Sequence, residues 1–169
     1  MADADSMALA QATTRNRRIG RIMVIVGDLL MIATLFTPWL ELETSFCSTG
    51  PVCRYHYSPW YLIYPGIPDV PTLSPSNPLA VIAACAIVIL ICSVLLLTSQ
   101  RRRVQRLSIG VLVTLSVVCL LNTGLIMTIL PLGLAITFPF YSTTLIYGSL
   151  LAIVGFLSIF AGAIFVWPE

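Results

Sequence analysis

The chain has 169 residues, 58% of them hydrophobic and 9% charged, with a mean hydropathy of +0.97. Soluble domains carry about 25% charged residues, so a water-soluble globule is excluded. All nine basic residues are Arg and there is one His, which removes Schiff-base lysines, the phosphate-binding Lys of a P-loop, His-rich metal clusters and a haem held by two histidines of this chain.

In chain order, residues 1–18 are rich in Ala, Asp, Ser, Thr and Gln without an apolar stripe, and a disordered tail is expected there. Residues 19–169 are expected to form one all-α domain, a bundle of four transmembrane helices with one long extracytoplasmic loop. Four apolar stretches, 22–40, 79–98, 107–130 and 144–167, are long enough to cross roughly 30 Å of hydrocarbon at about 1.5 Å per residue. Arg15, Arg17, Arg18 and Arg21 precede the first, which ends at Pro38, Trp39 and Glu41. Its apolar run is too long for a signal peptide and lacks a small-x-small cleavage site, so it reads as an uncleaved anchor.

Asp28 is the ionisable residue inside the spans. It lies about 10 Å beyond Arg21, and a carboxyl at that depth must be neutralised, hydrated or given a partner. Ser93, Thr114 and Ser158 fall at similar depths on the other spans and are the candidate partners. Two readings stay open: a proton or cation site, and a structural carboxyl that sets helix register.

The loop 41–77 contains Cys47 and Cys53 about a Gly50-Pro51 turn. Outside a cytoplasmic membrane these two are expected to form a disulfide. After them comes an aromatic segment, Arg54 to Tyr64, with Ser58-Pro59 as a helix start, suited to the headgroup layer. His56, Tyr57, Trp60 and Tyr61 are its candidate contacts to a partner. His56 is also the one residue able to meet a haem or chlorophyll-type pigment of a neighbouring subunit, against the plainer reading of a solvated imidazole. Five prolines from Pro65 to Pro78 then call for extended chain.

The second span runs into Arg101, Arg102, Arg103 and Arg106, and Pro131 is expected to close the third. Eight of the nine arginines thus fall before the first span or between the second and third. By the positive-inside rule that side is the cytoplasm, both termini are cytoplasmic, and 41–77 and 131–143 face the periplasm or extracellular space. Cys85, Cys92 and Cys119 read as soft apolar packing within the spans. In the last span Gly148, Gly155 and Gly162 recur every seven residues, with Ala152 and Ser158 close to the same stripe. A neighbouring helix, from the bundle or from a partner, can press into that groove.

Four spans, cytoplasmic ends and a first outer loop carrying Trp39, Cys47 and Cys53 resemble the claudin group in outline. Claudins have Gly-Leu-Trp before two more widely spaced cysteines, which this loop lacks. A single acidic residue in the first of four spans resembles small multidrug exporters, whose compact plan has no long Pro-rich loop. The expected function is a small accessory or structural subunit of a larger membrane complex, contacting lipid and other integral subunits through the glycine face of the last span and the bridged aromatic loop. A transporter or channel using Asp28 is the alternative, and a claudin-like adhesion or barrier protein the next. No enzyme activity, metal, resident cofactor or nucleic acid is expected: there is no metal triad, no nucleophile with its base and no phosphate loop.

Overall fold

The computed structural model describes residues 2–44, 53–59, 78–137, 141–145 and 147–167. Four helices account for most of them: α1 (Ala2–Phe36), α2 (Pro78–Thr98), α3 (Arg102–Thr137) and α4 (Tyr147–Val166). Each contains a stretch long and apolar enough to cross a membrane, the outline of a multi-pass membrane protein. Three short strands, β1 (Leu40–Thr44), β2 (Cys53–Tyr57) and β3 (Tyr141–Leu145), join the helices at one end.

The helices differ from the expected spans at three places. α1 starts at Ala2, so helix replaces the disordered tail expected over 1–18. Alternate alanines favour helix, Asp3 and Asp5 suit the positive end of its dipole, and the long apolar helix that follows supplies the nucleus from which it propagates. α3 continues through Pro131 to Thr137 rather than stopping at the proline. Pro131 removes one backbone hydrogen bond from a helix that keeps the rest, a loss that membrane helices tolerate. α4 begins at Tyr147, and Thr144 and Leu145, expected inside the fourth span, belong to β3.

The segments read as loops hold a sheet. Its order is β2-β1-β3, antiparallel throughout. Leu40-Glu-Leu-Glu-Thr44 alternates apolar and polar residues, the period of a strand with two unlike faces. Register sets Glu41 opposite His56 and Thr144, and Glu43 opposite Arg54 and Ser142. Those six residues share one face of the sheet. Leu40, Leu42, Tyr55, Tyr57, Tyr141 and Leu145 lie on the other.

α1 ends where Pro38 disfavours helical backbone at Thr37. The Thr34 carbonyl, left without a helical partner, accepts from Thr37 Oγ1 at 3.2 Å and from Trp39 Nε1 at 2.8 Å. Trp39, at the end of the first apolar stretch, is almost wholly buried. Val24, Met31, Ile89, Leu112, Phe156 and Ile159 form the centre of the core. Leu29, Leu107, Leu121 and Leu150 stand on the outside, where lipid rather than water is the compatible neighbour.

Candidate functional site

Two contacts position the polar and small residues singled out above. The first is the seam between α1 and α4, the most extensive helix contact. The two helices run antiparallel, with Gly20 beside Gly162 and Gly27 beside Gly155. A Cβ placed on Gly20 would lie 2.7 Å from the Gly162 carbonyl oxygen, and one on Gly27 would lie 2.8 Å from that of Gly155. Gly148 at the far end leaves room for the Pro38 carbonyl and the Trp39 ring. Backbones approaching this closely gain dispersion contacts along the whole seam, which matters where lipid tails compete equally for apolar side chains.

The glycine groove of α4 is therefore occupied from within the chain, with Ala152 buried along it and Ser158 half-buried at its margin. The expectation that this face packs on a partner subunit is corrected accordingly: α1 already fills it. Gly20 and Gly27 were overlooked in the sequence. Their spacing of seven is the same as that of the α4 glycines, a signal that two glycine faces belong together.

The second contact is between α1 and α2, which touch over a much smaller area. Here Ser93 Oγ donates to Asp28 Oδ1 at 3.1 Å, with both residues buried, at 1% and 8% exposure. Of the three expected partners, Ser93 is the one the fold brings to the carboxyl. Thr114 is exposed on α3 and donates to its own helix, to the Gly110 carbonyl. Arg21 is exposed too. A carboxyl held this way ties α1 to α2 at a chosen register and depth.

Elsewhere in the helices, Cys85 on α2 and Cys119 on α3 are neighbours, and Cys92 is buried. Ser116 Oγ on α3 is buried without a hydrogen-bond partner among the described residues. Groups of three or more His, Cys, Asp or Glu able to hold a metal are absent among the described residues. Cys47, Trp60 and Tyr61 lie outside the described residues, so the expected disulfide and the aromatic contacts do as well. Cys53, His56 and Tyr57 are placed by backbone in β2, within a strand rather than the surface loop expected of them.

Compared with protein-family models, curated proteins and solved structures, the chain matches none of them.

Proposed function

We propose that the chain is a small integral subunit of a larger membrane assembly, structural or accessory rather than enzymatic. It sits in the cytoplasmic or plasma membrane with both termini in the cytoplasm and the sheet outside. The observation that carries this reading is the sheet. Three five-residue strands, contributed by two separate segments, stand on helices whose outward faces are apolar. β2 and β3 are its outer strands, each paired on one side among the described residues, and such edges accept a strand from another chain. By register Glu41, Glu43, Arg54 and His56 share one face of the sheet beside those edges. Other integral subunits are the partners this geometry suits, through the sheet and not through the glycine seam.

The test is extraction in a mild detergent, then native electrophoresis and mass spectrometry of the species obtained. A discrete species far above the chain's 18.4 kDa that contains other chains supports the proposal. A clean monomer or homodimer overturns it.

One observation favours a second reading. Asp28 is an intramembrane carboxyl with Ser93 as its hydrogen-bond donor, buried where α1 meets α2, and an intramembrane carboxyl suits a proton or cation site. Unchanged proton-linked uptake or efflux in vesicles carrying Asp28→Asn ends that reading. Display of the same sheet toward an opposing membrane would make the protein an adhesion element, in which case sheet-dependent clustering of vesicles is the expected observation.

A further inference from the structure

The antiparallel packing at Gly20–Gly162 and Asp28–Ser93 brings the start of α1 and the α2–α3 link to one end of the molecule. Arg15, Arg17, Arg18 and Arg21 are there on α1, with Arg101, Arg102, Arg103 and Arg106 on the link and the start of α3, and all eight are exposed. Neither 11–21 nor 96–109 contains an acidic residue. Gln11, Thr14, Arg15 and Arg18 are spaced along one exposed face of α1. Two further features define what fits there.

The first is depth. On α1 exposed Ile19 and Ile22 flank Arg21, the last of its arginines, and on α3 Arg106 is followed by Leu107, 71% exposed. Charged and lipid-compatible surfaces thus adjoin on each of the two helices. From Arg15 to Arg21 is about 9 Å along the axis, comparable with the headgroup layer, roughly 5–8 Å on each side of a bilayer.

The second is chemistry. Every cation is a guanidinium, which can grip two phosphate oxygens at once. The link is ordered to present them: Arg101 N–H donates to Ser99 Oγ at 3.2 Å, Gln105 Nε2 to the Ser99 carbonyl at 2.8 Å. The first turn of the long helix α3 follows directly, its backbone N–H groups lacking helical acceptors and carrying the positive end of the dipole.

We propose that this arginine collar is a binding site for anionic phospholipid, with headgroup phosphates held along the arginine face of α1 and at the start of α3. The site requires only that the four helices cross a bilayer, so it stands or falls separately from the subunit reading. The lipid's acyl chains run along the apolar surface beginning at Ile22 and Leu107, an anchorage that soluble phosphate, nucleic acid or an acidic peptide cannot use.

The test places the full chain in nanodiscs of equal phosphatidylglycerol and phosphatidylcholine, releases it into mild detergent and counts retained lipids by native mass spectrometry. The ratio of retained phosphatidylglycerol to phosphatidylcholine is expected to be about five, against a bulk ratio of one. The enrichment should fall toward the bulk ratio in Arg15→Gln/Arg18→Gln and in Arg102→Gln/Arg103→Gln/Arg106→Gln. Unfolding midpoints of the variants in pure phosphatidylcholine serve as the folding control. A wild-type ratio equal to bulk overturns the proposal, as does unaltered enrichment in folded variants. Should the variants fail to fold, wild type decides alone: the enrichment must weaken in high salt and survive added inorganic phosphate, and displacement by phosphate would identify a free-anion site instead.

Discussion

The α1–α4 seam and the α1–α2 contact join the same helix to its two neighbours by opposite means. Along α1–α4 there is no room for side chains at Gly20, Gly27, Gly148 and Gly162, and the attraction is spread over many small contacts. At α1–α2 the helices touch over little area, and one buried hydrogen bond, Asp28 to Ser93, marks the place. The seam resists sliding because each glycine admits a backbone only at its own level. The polar contact resists rotation, because turning α1 would leave a carboxyl facing hydrocarbon. One helix thus receives its depth from one neighbour and its facing from the other.

The largest effect that would break this contrast is at the seam. Gly162→Leu or Gly20→Leu is expected to force α1 and α4 apart and cost about 3 kcal/mol or more, seen as a sharp fall in the thermal unfolding midpoint in detergent; a wild-type midpoint would show that the helices do not meet there. Trp39→Ala comes next. It empties the space under Gly148 and removes the indole bond to the Thr34 carbonyl, at about 3 kcal/mol, whereas Trp39→Phe should keep most of the packing and lose about 1 kcal/mol for the bond alone.

A double-mutant cycle of Asp28→Ala and Ser93→Ala sharpens the other side of the comparison. The coupling is expected between about 0.6 and 1.7 kcal/mol, the average and the upper end for interhelical hydrogen bonds measured this way in a membrane. Zero coupling by unfolding in lipid would remove the bond from the account. The smallest effects belong to Gly110 and Gly124 on α3, where an added Cβ would meet nothing within 4 Å. Ala at either site should be neutral or stabilise the isolated chain by up to about 1 kcal/mol. A loss of association with partner chains in the native membrane, with stability unchanged, would locate a partner on that face.

Four membrane-length helices were legible in the sequence because each apolar run exceeds what a core helix of a small domain needs, and Arg and Pro mark its ends. The sheet was legible as well and was missed: Leu40-Glu-Leu-Glu-Thr44 alternates strictly, and Tyr55 and Tyr57 interleave with Arg54 and His56. Reading the region as loop gave weight to its cysteines and prolines over its period of two. The tail was misjudged for a different reason. Composition alone speaks for isolated segments, whereas residues 2–18 are joined to a helix that is already formed.

Composition and periodicity therefore determined that the chain is membrane-compatible, how many times it can cross and where its cations gather, because each of these depends on residues adjacent along the chain. Pairing is another matter. Depth made Ser93, Thr114 and Ser158 equal candidates for Asp28, and only the rotation of each helix about its axis brought Ser93 inward while turning Thr114 to the outside. Likewise the α4 glycines announced a close neighbour without naming it, since a groove accepts any helix with a matching face. The tertiary structure supplied α1, whose own glycines sit at the same interval.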